Sequence, residues 1–308
     1  MITKFGKRFL TSYLSGNSSL SSKELAFGIG STSPNAKGND TKLDFEFYRV
    51  PVELSSFNVV QSGVDGDGDP VYNYSVTYKS TIPQDVSGVI SEVGLYPGGR
   101  QSFNNFDSKF ITSFTNEFNW FDGSSNAVSQ ANTQNSSGAY TFLSKVSDSS
   151  IKVDVTSGQT KEYINSLISD DISGYSINDT ISIAYKKADN NVSKIRVKFY
   201  SSELAYYYVD FTPESGTGDK IQSLSLNNLF SNYTASPNLP DPSSIIKIGV
   251  ATTATGGNTT VYFDAIRIND EDTFDPGYGL ISRSVLSTPL IKKPGRPVDI
   301  EYKLQLDF

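Results

Sequence analysis

The segment "VDIEYKLQLDF", Val298–Phe308, alternates apolar and polar residues over its whole length. The apolar residues of one face are Ile300, Tyr302, Leu304, Leu306 and Phe308. Because side chains alternate between the two faces of a strand, this pattern predicts a β-strand with one face that must be covered. Strands near the other end of the chain, such as Leu43–Leu54 in "LDFEFYRVPVEL", are expected to cover it. The sequence therefore predicts one domain made from both ends of the chain.

The middle of the chain predicts a second, inserted domain. The polar stretch "FDGSSNAVSQANTQNSSG" (121–138) has too few apolar residues for a core and indicates a boundary. After it, short apolar strands recur with Asn, Asp, Gly or Pro between them, which is typical of an antiparallel sandwich. The 18 Tyr and 19 Phe, against a single Trp and a single Met, fit short strands joined by polar turns.

We therefore predict an all-β protein with three parts. The first is a short N-terminal helix or assembly arm at 1–18. The second is a discontinuous antiparallel β-domain formed by 19–120 together with 273–308. The third is an inserted jelly-roll-like β-sandwich at 121–272.

The N-terminal helix is predicted from apolar residues at helical spacing. The residues of this apolar stripe are Phe5, Phe9, Leu10, Tyr13 and Leu14. A helix of about 12 residues is not stable alone in water, so the stripe must dock on another surface. Docking on the same domain and docking on a neighbouring protein during assembly both fit the pattern.

Composition excludes several classes of function. The chain has no Cys and no His, which removes thiol nucleophiles, disulfides, imidazole bases and the commonest zinc ligands. A net charge of −7, without a large basic cluster, argues against nucleic-acid binding. No apolar run approaches the roughly 18 residues of a membrane span, and "MITKFGKRFLTSYLSG" lacks the long apolar core of an export signal. We expect neither a membrane anchor nor a signal peptide.

One acidic turn resembles the start of a calcium loop. Asp65, Asp67 and Asp69 have the required spacing. Pro70 stands where the loop needs Gly, and Val76 where it needs Glu, so a solvated turn is the preferred interpretation.

The remaining carboxylates do not indicate an active site. The candidates are Asp170 with Asp171, Glu271 with Asp272, Asp210 and Asp264. Turns and the solvent-facing side of strands explain all of them. We predict that the protein is not an enzyme and has no catalytic residue, metal site or cofactor.

The stretch "VISEVGLYPGG" (89–99) places one carboxylate, Glu92, within an apolar strand. Alternation puts Glu92 on the face opposite Val93 and Leu95. We expect the side chain to project to solvent or to a basic partner such as Arg49 or Arg100.

The strand "AYYYVDF" contains three consecutive tyrosines, Tyr206, Tyr207 and Tyr208. Alternation puts Tyr206 and Tyr208 on one face of the strand and Tyr207 on the other. Exposed tyrosine rings can stack on sugars, whereas buried ones fill a core. These three residues are the candidate glycan contacts of the chain.

Five segments carry a resemblance in their order along the chain. They are "FGKRFLTSYLSG", "ELAFGIGSTSP", "KLDFEFYRVPV", "ISEVGLYPGG" and "SKFITSFTNEFNW". Together they resemble a family of virion structural proteins of contractile-tailed bacteriophages, particularly those of marine cyanobacteria. In the inserted region "NVSKIRVKFYSS", "AYYYVDF" and "VYFDAIRIND" are similar to the second half of those proteins. The "EVGLY" segment also resembles tail-fibre and baseplate-associated proteins.

The resemblance implies a structural component of the virion, made in the host bacterial cytoplasm. It implies contacts with other virion proteins and a homo-oligomer, at the tail, baseplate or a fibre, with a capsid decoration protein as the alternative. The inserted sandwich also resembles jelly-roll carbohydrate-binding modules, which implies recognition of host-surface polysaccharide as a further alternative. The usual exposed Trp platform is missing, since the only Trp, Trp120, precedes the predicted sandwich.

Overall fold

The structure is a computed structural model that describes residues 1–14, 23–30, 32–36, 38–97, 109–112, 114, 119–122, 129–132, 149–269 and 279–307. Two compact units divide the chain. Unit 1 consists of Met1–Ser102 and Phe274–Phe308, and unit 2 of Phe103–Thr273. Antiparallel strands build both units, which confirms the all-β class.

The elements are numbered in chain order. They are α1 (Lys4–Leu14), β1 (Lys23–Gly28), β2 (Glu46–Val64), β3 (Pro70–Ile82), β4 (Gly88–Pro97), β5 (Lys109–Thr112), β6 (Trp120–Asp122), β7 (Ser129–Asn132), β8 (Ser149–Val155), β9 (Thr160–Asn165), β10 (Thr180–Lys187), β11 (Val192–Tyr200), β12 (Tyr206–Phe211), β13 (Gly218–Ser225), α2 (Asn227–Phe230), β14 (Tyr233–Thr234), β15 (Lys247–Ala254), β16 (Thr259–Asn269), β17 (Ser282–Lys292) and β18 (Val298–Asp307).

Unit 1 has six strands in the order β17-β4-β1-β2-β3-β18. The first part of β2 pairs with β1 and the rest pairs with β3, with a register shift between Leu54 and Ser56. The predicted C-terminal strand is β18, in which Tyr302 lies opposite Tyr78 of β3. Tyr302, Leu304 and Tyr78 are buried in one core with side chains from β1 and β4, so this part of the apolar face of β18 is covered by N-terminal strands. The side chains of Leu306 and Phe308 lie outside the described residues.

Helix α1 docks on unit 1. The rings of Phe5 and Phe9 stack at 6.1 Å between centroids, and both pack against the core of the unit. Leu10 is half-buried, whereas the side chains of Tyr13 and Leu14 lie outside the described residues. Part of the stripe is therefore used within the unit, and an assembly contact by these residues stays a prediction.

Glu92 of β4 is fully buried in unit 1. Its Oε2 accepts hydrogen bonds from Arg283 of β17, at 3.0 Å from Nε and 2.7 Å from Nη2. Its Oε1 accepts the backbone N–H of Phe45 at 3.0 Å. Asp44 Oδ2 lies 3.0 Å from the same guanidinium. A buried ion pair thus joins strands from the two chain segments that flank the insertion.

The expectation that Glu92 projects to solvent is wrong, and its basic partner is Arg283 rather than Arg49, whereas Arg100 lies outside the described residues. Alternation is only partly right for β4. Val93 and Leu95 lie in the main core as expected, but Ile90, which alternation places on the same face as Glu92, lies in that core too. The face of Glu92 is not wet, since Leu43 and Leu280 pack over it in a smaller cluster. Arg49 instead pairs with Glu46, at 2.7 Å.

Unit 2 is a sandwich of two antiparallel sheets around one core. One sheet has the order β13-β10-β16-β8-β7, with β5 also paired to β16, and the other has the order β14-β12-β11-β15-β9-β6. The predicted boundary at residue 120 differs from the structure, in which 103–120 belongs to unit 2. The reason is packing, because Ile111, Phe114 and Trp120 are buried in the core of the sandwich.

Replacement of Arg283 by Met should lower the free energy of unfolding of unit 1 by about 3–5 kcal/mol, because it leaves a buried carboxylate without its cation. Hydrogen exchange of β4 and β17 peptides during a urea titration measures this loss. The fluorescence of Trp120, the single Trp, reports unit 2 and should show an unchanged transition.

Lys79→Met is the matched control for this substitution. Lys79 pairs with Glu301 at 3.0 Å, but both side chains are exposed, so its loss should cost only about 0–1 kcal/mol. Equal losses in the two variants would contradict a central role for the buried pair.

A pH dependence follows from the environment of Glu92. Burial raises the pKa of Glu92 and the nearby Asp44 adds to this, which outweighs the opposing hydrogen bonds from Phe45 and Arg283. The folded state then holds the Glu92 proton more tightly than the unfolded state. The stability that this group contributes is fully present at pH values below its pKa in the unfolded state. It is lost as the pH rises through its pKa in the folded state. The stability of the wild type relative to Glu92→Gln should therefore increase as the pH falls from about 7 to about 4. A difference that stays constant over this range in the same exchange experiment would refute the prediction.

Candidate functional site

One sheet of unit 2 carries a cluster of aromatic and charged side chains on its outer face. We call it the tyrosine face. Its members are Glu162 on β9, Arg196, Lys198 and Tyr200 on β11, and Tyr206, Tyr208 and Asp210 on β12. Tyr200 pairs with Tyr206, Lys198 with Tyr208 and Arg196 with Asp210 across the two strands. Ile195, Val197 and Phe199 alternate with these residues and are buried in the core, so β11 has one apolar and one polar face.

Arg196 and Asp210 form a bidentate ion pair on this face. Arg196 Nε donates to Asp210 Oδ1 at 2.6 Å, and Nη2 donates to Oδ2 at 2.7 Å. The guanidinium lies 4.0 Å from the ring centroid of Tyr208. Burial alone raises the pKa of Asp210, but the hydrogen bond and charge of Arg196 lower it overall. The hydrogen bond to Asp210 raises the pKa of Arg196 in turn, so both groups are held in their charged forms.

Glu162 links a lysine and a tyrosine. Lys198 Nζ donates to Glu162 Oε2 and the Tyr200 hydroxyl donates to Oε1, each at 2.6 Å. Burial, together with the bond to Glu162, raises the pKa of Tyr200. Gly249 of β15 makes this arrangement possible, because a Cβ there would lie 2.6 Å from Glu162 Oε1 and 3.1 Å from the Tyr200 ring.

The tyrosine rings form a staggered row. Tyr206 lies 4.8 Å from Tyr200 with the ring planes at 48°, and 6.2 Å from Tyr208 with the planes at 56°. All three stand beside fixed charged donors and acceptors. Tyr200 is buried, whereas Tyr206 and Tyr208 are half-buried, and half-buried rings flanked by oriented polar groups suit a ligand that has both apolar and hydroxyl-bearing faces.

The three predicted glycan contacts do not share a face. Tyr206 and Tyr208 lie in the row. Tyr207 points to the other side, where its ring meets Phe230 edge-on at 5.5 Å and its hydroxyl donates to the Pro240 carbonyl at 2.8 Å. Trp120 offers no platform either, since it is buried against Phe114 with ring centroids 4.7 Å apart.

Sequence reasoning missed Glu162, Arg196, Lys198 and Tyr200. Three of them carry a usable signal, because "KIRVKFY" places cationic and aromatic residues at alternate positions of a strand. Glu162 has no such signal, since its role depends on the pairing of β9 with β15.

The other carboxylates that the sequence singled out differ in their surroundings. Asp264 on β16 is buried, so the expectation that it lies in a turn or on the solvent-facing side of a strand is wrong. The acidic residues of two turns serve local structure. Asp65 Oδ1 accepts the backbone N–H groups of Asp67 and Asp69, at 3.0 and 2.9 Å, which makes a capped turn. Asp171 likewise accepts the N–H and hydroxyl of Ser173. Glu271 and Asp272 lie outside the described residues.

Two features are absent from the described residues, a cluster of metal ligands and a membrane-spanning helix. In the described ranges, no three or more acidic side chains come together in a group that could hold a metal ion. None of the helices in that part of the chain has the length and hydrophobicity needed to cross a membrane.

A second candidate surface lies on the hairpin of β2 and β3 in unit 1. We call it the hairpin stripe and define it as Phe57, Val59, Tyr72 and Tyr74. Phe57 and Tyr74 are in ring contact at 6.4 Å, and Val59 lies opposite Tyr74. Phe57 is 58% exposed and Val59 47%. The residues 54–64 and 70–78 contain no charged side chain.

No protein-family model matches the sequence, and no curated protein is similar to it at a significant level. Solved structures are similar to part of the chain. The family 11 carbohydrate-binding module of a cellulosomal cellulase of Clostridium thermocellum is 15% identical, with a TM-score of 0.38, over 54% of this chain and 96% of that one. An exo-β-agarase is 14% identical, with a TM-score of 0.36, over 55% of this chain and 26% of that one. The tailspike protein 4 domain of bacteriophage CBA120 is 11% identical, with a TM-score of 0.28, over 50% of this chain and 20% of that one.

Substitution of Gly249 by Ala should lower the free energy of unfolding of unit 2 by about 1–3 kcal/mol, because the new methyl group collides with Glu162 and Tyr200. Urea unfolding followed by Trp120 fluorescence measures it. Combining Gly249→Ala with Glu162→Ala removes the closest collision, so the added Ala should then cost less than it does in the wild type. An equal cost in both backgrounds would contradict the packing described for this face.

Proposed function

We propose that this protein is a non-enzymatic structural component of a tailed bacteriophage particle, and that unit 1 joins it to other proteins of the virion. The tail, baseplate or a fibre is the proposed place, and capsid decoration is the alternative. The observation that carries the proposal is the hairpin stripe, an apolar surface left exposed beyond the core of unit 1. The ordered segments that resemble contractile-tail virion proteins support the same role.

The stripe is a continuation of a covered surface. Along β3, the side chains on this face become less exposed toward the core of unit 1. Tyr72 at the outer end is 39% exposed, whereas Tyr78 is buried in the core. Apolar side chains grouped on a surface favour contact with another protein, because contact removes them from water. No charge must be desolvated to make that contact, since this part of the hairpin carries none.

Phe57→Asp should lower incorporation of the protein into particles at least tenfold, because it places a carboxylate in the proposed contact. Quantitative mass spectrometry of purified particles assembled with each variant is the measurement. Asn73→Asp is the matched control, since Asn73 lies opposite Val60 on the other face of the same hairpin and should be tolerated.

Two outcomes bear on the position and on the role itself. A copy number that matches capsid subunits would favour decoration, whereas one that matches a tail or baseplate ring would favour the proposed place. Absence of the wild-type protein from purified particles would overturn the role.

Recognition of host-surface polysaccharide by unit 2 is the second candidate function. It is favoured by the tyrosine face, where Tyr206 and Tyr208 stand beside the fixed charges of Arg196, Lys198 and Asp210 on an open sheet face. Sugar rings combine apolar faces with hydroxyl groups, so stacking and hydrogen bonding can act together there.

Tyr206→Ala and Tyr208→Ala should each weaken polysaccharide binding by about tenfold, which corresponds to about 1.4 kcal/mol. An array of host envelope polysaccharides probed with the full chain is the measurement. Tyr262→Ala, a half-buried tyrosine on β16 of the opposite sheet, is the control and should bind as the wild type does. Failure of the wild type to bind any host polysaccharide would remove this candidate.

A further inference from the structure

We propose that the hairpin stripe packs against the same stripe of a second copy of this chain, with the two hairpins antiparallel and related by a twofold axis near Tyr74. The inference rests on the proposed assembly role of the stripe and names its first partner. In this arrangement, the acidic turn of each copy lies beside Lys23 of the other. Four observations lead to it.

The first observation is that the stripe and the core are one surface. Phe57 lies opposite Val76, and Val76 packs against the core of unit 1. On the other side of β3, Val76 lies opposite Leu304 of β18, which is itself buried in the core. The uncovered outer end is therefore the continuation of a face built for burial, and an apolar partner face suits it.

The second observation is the absence of charge from 54–64 and 70–78. In a twofold contact each patch meets its own copy, so any charged residue near the axis would face a like charge. The stripe avoids this conflict, which makes it complementary to itself.

The third observation is the amount of exposed surface. The most exposed large apolar side chains on the stripe side of the hairpin are Leu54, Phe57, Val59, Val64 and Tyr72, between 39% and 65% exposed. With about 150–200 Å² for each whole side chain, they offer on the order of 450 Å². Because an interface is only about 56–58% apolar, covering them involves roughly 800 Å² per copy. A stable interface of standard size buries about 800 Å² per partner.

The fourth observation is charge complementarity between the ends of the hairpin. Asp65, Asp67 and Asp69 form the turn, which leads into Pro70. At the base, the Lys23 ammonium lies 5.4 Å from the ring centroid of Tyr78. Among the described residues no carboxylate pairs with Lys23, and burial lowers the pKa of Lys23. Lys23, at the base of the hairpin, is therefore a cation that a carboxylate from a second copy would stabilise.

Strand geometry brings these two ends together. Pro70 and Tyr78 each lie four residues from Tyr74, or about 13 Å along the strand. A twofold axis near Tyr74 therefore places the turn of one copy over Tyr78 and Lys23 of the other. Both pairings form at once, because the axis repeats them.

Sedimentation equilibrium of the purified full chain tests the dimer. The wild type should dimerise, and Phe57→Asp should raise the dimer dissociation constant at least about 100-fold. Asn73→Asp, on the opposite face of the hairpin, should change it less than about threefold. Circular dichroism confirms that each variant is folded.

A charge exchange tests the orientation. Lys23→Glu and Asp67→Lys should each weaken the dimer about tenfold, and the double variant should recover most of the loss. Two weak single variants with no recovery would overturn the antiparallel pairing.

A cross-link gives a second, independent readout. The chain has no Cys, so Tyr74→Cys introduces a single thiol near the proposed axis. Oxidation should give a disulfide-linked dimer, whereas Asn73→Cys on the other face should not.

Failure of this inference can be told apart from failure of the proposed function. A wild type that stays monomeric at about 100 μM, which is tenfold above a Kd of about 10 μM, overturns the self-association. If Phe57→Asp then still fails to enter particles, the assembly role holds and a different virion protein covers the stripe. If that variant enters particles normally, both are overturned.

Discussion

The buried pair of Glu92 and Arg283 holds unit 1 together, because it joins two chain segments that an entire second unit separates. Breaking such a pair leaves a bare charge in the interior, so partial pairing of β4 with β17 is not a stable alternative. The backbone has adapted to it. A Cβ at Gly28 would lie 2.6 Å from Glu92 Oε1, and one at Gly30 would lie 2.6 Å from Asp44 Oδ2. Glycine in "AFGIGST" therefore provides the space that the carboxylates occupy.

Alternation in the sequence predicted β18 and the need to cover its apolar face, because that requirement is local to one strand. The partner of Glu92 could not be predicted in the same way. Alternation divides β4 into two faces, but it does not show that Leu43 and Leu280 close over the second one. That cover comes from distant parts of the chain. The alternation of side chains along a strand thus separates its two faces, and tertiary contacts decide which of them is exposed to water.

In unit 2 the sequence predicted the sandwich and placed Tyr206 and Tyr208 together on one face. It placed the start of the sandwich too late, because a polar composition indicates a loop but does not show to which domain the apolar residues before the loop belong. Phe114 and Trp120 belong to the sandwich, because they are buried in its core. The tyrosine face depends on β11, β15 and β9 lying in that order beside β12, so Glu162 and Gly249 have no sequence signal that connects them to it.

The two surfaces differ in what binding would cost. On the tyrosine face Arg196 is paired with Asp210 and Lys198 with Glu162, so a ligand must share or displace hydrogen bonds that already exist. Such exchange yields selectivity with modest affinity, because unpaired polar groups are penalised. The hairpin stripe has no charged group to desolvate, and covering its exposed apolar side chains lowers the free energy. The two proposed roles, firm assembly through unit 1 and weaker, selective recognition through unit 2, are consistent with this difference.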